Sequence, residues 1–204
     1  MKAKAIVKIC ICGTIALVLA SVLVSLLAIP RVLDWKIGDL SFHWIDDHGG
    51  DEGYTVGEAS VSGEVRELDV SWLSGSVTVE LTDGDAVTLR EEPQPESSDA
   101  RMRWKLQDGK LTVYSQKSGL TIPTRAKQLT IGIPAGRAGK LQKLSLDLSA
   151  ATASLPALTL RELELDSVSG SVTLTGGSYE NLDFDSTSGD LTLTSAAVGE
   201  LSAD

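Results

Sequence analysis

Apolar and polar residues alternate along the C-terminal third of the chain, and the pattern recurs every 19 residues. Three consecutive copies begin at Lys143, Glu162 and Asn181. Within each copy the apolar positions have a period of two rather than 3.6, which predicts half-buried strands and not helices. Ser-Val-Ser-Gly or Ser-Thr-Ser-Gly separates the two strands in the later copies. Because Gly tolerates positive φ and Ser bonds to nearby backbone, these tetrapeptides predict tight corners.

Residues 19 positions apart keep the same character from copy to copy. The resulting columns are Leu144, Leu163, Leu182 and Leu201; Leu146, Leu165, Phe184 and Ala203; Asp147, Asp166, Asp185 and Asp204; Ala153, Val172 and Leu191; Leu155, Leu174 and Leu193; and Gly170 and Gly189, with Ala151 in the first copy. No copy can bury its apolar face alone, whereas stacked copies share a continuous core. The sequence therefore predicts an all-β, single-stack, β-solenoid-like domain with about 19 residues per coil.

An earlier copy and several further strands precede these repeats. Residues 68–79 fit the same frame, with apolar residues and a glycine at the core and turn positions. Asp108-Gly109 between two apolar runs is a strong signal for a type I′ hairpin. The strands predicted in this stretch are residues 85–90, 101–107, 110–115 and 127–133, with a loop over residues 93–98.

An uncharged apolar run at residues 9–29 predicts a transmembrane helix. At about 1.5 Å per residue it spans roughly 31 Å, the thickness of a bilayer's hydrocarbon core. Lys2, Lys4 and Lys8 precede it, so residues 1–8 are expected to be a cytoplasmic stub, with the rest of the chain exported. A cleaved signal peptide is the alternative. The run is longer than a usual signal peptide and lacks a clear small-x-small site, which favours an uncleaved signal-anchor.

The exported part divides into a juxtamembrane segment, residues 30–58, and the repeat domain, residues 59–204. The segment contains a group of histidines and acids that invites comparison with a metal site: His43, Asp46, Asp47, His48, Asp51 and Glu52. These residues lack a defined ligand spacing, and the glycines among them favour a solvated loop.

Composition excludes several functional classes. The net charge is -10 and no basic stripe is present, which excludes nucleic-acid binding. Cys10 and Cys12 lie at the start of the apolar run, where small helix residues are a better interpretation than lipidation sites. The exported part has no cysteine, and the repeat domain has no histidine, so neither a thiolate site nor a Ser-His-Asp triad is supported. We therefore expect no enzyme, no cofactor, no metal and no catalytic residues.

The aspartate column allows two interpretations. Stacked coils lie about 4.8 Å apart, so its carboxylates would form a ladder of like charges. A partly buried ladder would attract a cation such as Ca²⁺. The favoured interpretation is that each aspartate caps a corner by bonding to backbone amides of the following residues.

The strand motifs resemble the adhesin-like domain of bacterial membrane-anchored β-strand-repeat proteins, a domain family of unknown function. The resemblance covers residues 59–204 and rests on LDVSWLSGSVTVELTDGDAVTL, KLTVYSQ, QLTIGIPAG, LELDSVSGSVTL and LDFDSTSGDLTL. It implies an extracytoplasmic β-solenoid-like stack, typically in Gram-positive bacteria, with a role in adhesion or envelope-stress signalling and without a catalytic site. Ala150-Ala151 replaces Ser-Gly in one copy, so the pattern does not assign a turn conformation to that coil.

Together these features predict a membrane-anchored, extracytoplasmic, non-catalytic scaffold or adhesin-like binding module. It would contact the cytoplasmic membrane through residues 9–29. A further partner would be a protein, the cell wall or a second copy at the C-terminal solenoid edge, because the frame stops at Asp204, within another match that begins at residue 200. The alternative is a regulatory subunit in cell-envelope stress signalling that acts through its transmembrane helix. A carbohydrate-active enzyme is disfavoured, because the three consecutive copies from Lys143 onwards contain only Tyr179 and Phe184 as aromatic residues.

Overall fold

The stack of coils is the main feature of the computed structural model, which describes residues 50–118 and 125–204. Thirteen strands in these ranges form one continuous sheet that winds around an apolar core. The predicted span at residues 9–29 and most of the juxtamembrane segment lie outside the described ranges. Within those ranges no helix is long and apolar enough to cross a membrane.

The strands follow the chain with short connections. They are β1 (Thr55–Val56), β2 (Ala59–Val61), β3 (Glu67–Thr82), β4 (Val87–Glu92), β5 (Arg103–Gln107), β6 (Lys110–Tyr114), β7 (Lys127–Pro134), β8 (Lys143–Leu155), β9 (Thr159–Ser167), β10 (Val172–Thr175), β11 (Ser178–Ser186), β12 (Leu191–Thr194) and β13 (Ala197–Ala203). Two short 3-10 helices, Ser98–Ala100 and Ala135–Lys140, precede β5 and β8.

The last three coils confirm the predicted repeat. Strands β8, β9, β11 and β13 pair in parallel, and Leu163 lies opposite Leu144 and Leu182. On the other run of each coil β10 pairs in parallel with β8 and β12, where Leu174 lies between Leu155 and Leu193. Every one of these partners is 19 residues away in sequence, so each column of the repeat is a physical stack of side chains.

The earlier copy also lies in the frame. Strand β3 pairs in parallel with β8 along most of its length, with Leu68 opposite Leu144 and Val77 opposite Ala153. These partners are 76 residues apart, which is four repeat lengths. Gly75 lies opposite Ala151, so the coil that lacks Ser-Gly packs its corner against a glycine of the preceding coil.

The coil on the other side of β3 departs from the predicted uniform length. It is formed by β6, which pairs with the first half of β3, and β7, which pairs with the second half. Their registers place Lys110 opposite Glu67 and Lys127 opposite Gly75, which are offsets of 43 and 52 residues. The offsets differ by nine because twelve residues, 115–126, link β6 to β7 in the sequence, whereas only three residues of β3, 72–74, lie between the positions that pair with them.

Antiparallel strands close this end of the stack. The Asp108-Gly109 turn has φ of 53° and 85° and returns the chain so that β5 and β6 form the predicted hairpin. Strand β4 pairs antiparallel with β7, and β2 pairs antiparallel with β4. Strand β1 pairs antiparallel with β5, so the end of the predicted juxtamembrane segment is part of the sheet.

Serine and glycine form the corners of the later coils. The Ser167 hydroxyl accepts a hydrogen bond from Gly170 N at 2.9 Å, and Ser186 does the same for Gly189 N at 2.6 Å. A Cβ on Gly170 would lie 1.6 Å from the carbonyl oxygen of Ala151 in the coil beneath. The corner therefore needs glycine for close backbone approach. The predicted cap was the preceding aspartate, but the residue that forms these bonds is the serine one position later.

Truncating Leu163 should destabilise the stack strongly, because its side chain has 0% exposure at the centre of the leucine column. Leu163→Ala is expected to lower the free energy of unfolding by about 2–5 kcal/mol in urea titrations. Leu201→Ala is the matched control, since Leu201 continues the same column but is 52% exposed. Equal losses in the two variants would contradict the stacked-coil core.

Candidate functional site

The C-terminal edge of the sheet is the candidate interaction surface. We call β12 and β13 the terminal edge. Among the described residues, β12 pairs only with β10 and β13 only with β11, so one side of each strand has no strand partner. An exposed row of backbone N–H and C=O groups is a template for pairing with another chain.

Side chains at the terminal edge expose the ends of the apolar columns. Leu201 is 52% exposed, whereas Leu182, at the same position of the preceding coil, is 1% exposed. Leu193 is 38% exposed and stacks on the fully buried Leu174. The terminal edge therefore offers both unpaired backbone and apolar surface to a further strand.

Charge around the terminal edge has a single sign. Residues 162–204 contain nine acidic residues and no lysine or arginine. The last two cations before them in the sequence are Lys143 and Arg161. Arg161 is exposed, whereas Lys143 bonds to Glu164 at 2.7 Å and to Glu162 at 3.1 Å, so those two acids are already paired. Acids beyond this point face solvent, which makes the end of the stack anionic.

The predicted aspartate ladder is present. Asp166 lies opposite Asp147 on one side and Asp185 on the other. Burial, together with the charges of Asp147 and Asp185, raises the pKa of Asp166 to about 6. Within residues 50–118 and 125–204 no group of three or more histidine, cysteine or acidic side chains is arranged to hold a metal ion.

A buried ion pair lies away from the terminal edge, at the start of β7. Lys127 Nζ lies 2.6 Å from a carboxylate oxygen of Glu91, and the two side chains are 8% and 1% exposed. The ammonium also donates to the carbonyl oxygens of Ala100 and Ser115 and lies 5.0 Å from the centre of the Trp72 ring. Burial lowers the pKa of Lys127, opposed by its bond to Glu91.

Neighbouring protein groups form further hydrogen bonds with both residues of this pair. Both Glu91 carboxylate oxygens accept from Met102 N at 3.1 Å. Trp72 Nε1 donates to the Lys127 carbonyl oxygen at 3.1 Å, which links the pair to β3. The arrangement joins β3, β4 and β7 through groups that contact one another.

Sequence reasoning missed this pair, although a signal for it exists. Val87 and Leu89 are buried residues of β4, and Glu91 continues their alternation onto the inward face. An acid at an inward position requires a buried cation, and Lys127 begins the adjacent strand β7.

The other residues considered from sequence are dispersed. His43, Asp46, Asp47 and His48 lie outside the described residues. Asp51 is 3.5 Å from Arg103 Nε and accepts from Ser118 N at 3.2 Å, so it acts as a partner for cations and backbone of the folded domain.

Comparison with known families decides the classification of the domain. A family model described as Toastrack DUF4097 matches residues 65–202. The chain belongs to this family. The resemblance seen in the strand motifs is thereby confirmed, and the Toastrack domain includes the terminal edge.

Solved structures show distant likeness to the Toastrack domain. A candidate cell adhesion protein from Clostridium sporogenes ATCC 15579 has 7% identity and a TM-score of 0.34, covering 74% of this chain and 100% of its own. A candidate adhesin from Bacteroides fragilis NCTC 9343 has 9% identity and a TM-score of 0.34, covering 74% and 97%. These scores are too low to carry an argument about function. The comparison with curated proteins found no match.

Asp166→Asn should raise stability near pH 7–8 and remove a pH dependence. The folded-state pKa of about 6 lies above the ordinary value of 3.8, so the native state binds the proton more tightly and loses stability as pH rises through this window. The Asp166 carboxyl is partly desolvated but still in contact with solvent, which screens the neighbouring charges, so the gain should be below about 1 kcal/mol.

Thermal melts between pH 4 and pH 8 would measure this effect. Asp83→Asn, in the exposed turn after β3, is the control that removes one acid far from the ladder. If Asp166→Asn and Asp83→Asn change the pH profile equally, the ladder does not perturb Asp166.

Lys127→Met should cost about 3–5 kcal/mol, because it leaves the Glu91 carboxylate buried without its cation. Adding Glu91→Gln removes that charge and keeps an oxygen acceptor for Met102 N. Urea denaturation should therefore find the double variant less destabilised than Lys127→Met alone. A double variant at least as unstable as the single one would contradict the assignment of a buried charge pair.

Proposed function

We propose that the chain is a single-pass membrane protein that carries its Toastrack domain outside the cytoplasmic membrane as a non-catalytic binding module. The uncharged run at residues 9–29, preceded by Lys2, Lys4 and Lys8, supports an uncleaved anchor with a cytoplasmic N-terminus. The lysines favour the orientation in which residues 59–204 are exported.

Three features support a binding role over catalysis. Both histidines of the chain precede residue 50 in the sequence, so none lies among the described residues. The corner serines bond to the backbone of their own turn. The buried Lys127–Glu91 pair consists of two groups that neutralise each other. These are features of a scaffold, since a nucleophile or general base needs an accessible position beside its substrate.

The unpartnered terminal edge is the observation that carries the proposal. An added strand would continue the backbone hydrogen bonding of β13 and cover the exposed part of Leu201. Addition of a strand to an open sheet edge is a recurring mode of peptide recognition, with affinity from main-chain bonds and specificity from alternate side chains.

The negative charge near the terminal edge favours one of the partners expected from sequence over the others. The seven acids of residues 165–204 repel an anionic polymer and disfavour direct pairing of two terminal edges. They favour an extended segment whose outward residues are lysine or arginine. We therefore propose a protein partner with a basic strand at the terminal edge, ahead of a cell-wall polymer or a second copy.

A pair of synthetic peptides tests this edge in the full-length protein held in lipid nanodiscs. An extended peptide of alternating lysine and valine should bind, more weakly at high salt, and the glutamate–valine counterpart should not. Leu201→Lys should reduce binding at least fivefold. Leu81→Lys is the matched control, because Leu81 is 43% exposed but lies on β3, away from the terminal edge.

Equal binding of the two peptides, or equal loss in the two variants, would contradict the terminal-edge proposal. If instead the wild-type protein dimerises in a manner that Leu201→Lys abolishes, the occupant is a second copy and the basic-partner proposal is wrong.

The orientation of the chain in the membrane can be measured separately. Protease added to intact cells should remove an epitope tag placed after Asp204 and leave one placed before Lys2. Protection of the C-terminal tag until the membrane is permeabilised would contradict an exported domain.

A further inference from the structure

A cavity of about 280 Å³ lies on the side of the stack away from the terminal edge. It is bounded by the segment that links β2 to β3 and by the 3-10 helix Ala135–Lys140 that follows β7. Its volume is near the lower end of the range of about 300–1,000 Å³ that is typical of small-molecule sites. A short alkyl chain is of this size class, whereas a folded partner is not.

The floor of the cavity is apolar. It is formed by Leu68, Val87, Ile133 and Leu141, which are buried members of the domain core, and by the half-buried Val65. A fully polar ligand would leave this surface without apolar contacts. The floor therefore favours a ligand with a hydrocarbon part.

Two cations line the same cavity. Arg137 Nη1 donates to the Ser62 carbonyl oxygen at 3.0 Å, which fixes the guanidinium beside the linking segment. Its remaining N–H groups have no protein partner among the described residues. Lys140 Nζ lies 3.6 Å from a carboxylate oxygen of Glu64, so the lining carries two positive charges and one negative charge.

This local excess of positive charge contrasts with the rest of the molecule. The chain has a net charge of -10, so it does not attract anions in general. An arginine with uncommitted donors is suited to carboxylate or phosphate oxygens, which its planar fork can bind in bidentate fashion. An anionic group at Arg137 would complete the hydrogen bonding of a side chain that Ser62 already holds in place.

We propose that this cavity binds a single-chain amphiphile, with its alkyl tail on the apolar floor and an anionic head group on Arg137. Lys140 also lines the cavity, and its positive charge strengthens the preference for an anionic head group. A cationic amphiphile is opposed by both side chains, and a neutral one leaves the arginine donors without a charged partner. The site is separate from the terminal edge, so it stands whether or not a strand binds there.

A photoaffinity probe tests the proposal in full-length protein in lipid nanodiscs. The probe is octyl phosphate with a diazirine at the tail end, and its labelled residues are mapped by mass spectrometry. Mapping separates the cavity from probe dissolved in the bilayer. Labelling is expected on peptides that contain Val87, Ile133 or Leu141. Excess unlabelled octyl phosphate should compete, and inorganic phosphate at the same concentration should not.

Variants and a second probe identify the head-group contact. Arg137→Gln should reduce labelling of the cavity at least fivefold, whereas Arg161→Gln, an exposed arginine outside the cavity lining, should leave it unchanged. The matching octanol probe should label the cavity weakly and respond little to Arg137→Gln. Val65→Trp, which fills the cavity from its half-buried wall, should abolish labelling by both probes.

Several results would overturn the proposal. These are labelling outside the cavity, labelling that Arg137→Gln does not change, and displacement by inorganic phosphate alone, which would indicate a simple anion site. Wild-type melting behaviour of each variant is required, and Lys140→Gln, at an exposed position, provides a second cation variant if Arg137→Gln fails to fold.

Discussion

A constant coil length is the constraint on which the rest of the structure depends. Parallel strands of neighbouring coils are about 4.8 Å apart, so a repeat that never changes length places each side chain directly over its equivalent in the next coil. Leu144, Leu163 and Leu182 therefore share one buried column. The same geometry leaves no room for a Cβ at Gly170, and it forces Asp166 between two other aspartates. The buried leucine column, the glycine corner and the row of aspartates all follow from the same strand register.

The regular half of the domain could be predicted from sequence because its information is local and repeated. Period-two alternation identified the strands, the 19-residue spacing gave their register, and Asp108-Gly109 identified the hairpin. The coil of β6 and β7 could not be predicted in the same way, since its offsets from β3 are not multiples of 19. That pairing depends on the length of an inserted segment and on long-range contacts such as Lys127 with Glu91, for which the alternation in β4 was the only local sign.

Both candidate binding surfaces occur where the regular stacking stops. At one end β12 and β13 each have one side without a strand partner among the described residues, so unpaired backbone, partly exposed leucines and unbalanced acids come together. At the irregular end, the linking segment before β3 and the 3-10 helix after β7 leave a cavity, and Arg137 and Lys140 line it. Opposite charge at the two places makes them suited to different ligands, a basic strand at the terminal edge and an anionic amphiphile in the cavity.

Disulfide trapping across neighbouring coils tests the register most directly. Thr173 of β10 lies opposite Thr192 of β12, whereas Thr194 is two positions further along that strand. In a protein with Cys10 and Cys12 replaced by serine, Thr173→Cys with Thr192→Cys should oxidise rapidly, since directly opposed positions meet the geometry of a disulfide. Thr173→Cys with Thr194→Cys should stay reduced. Faster oxidation of the second pair would show a different register and would contradict the 19-residue coil.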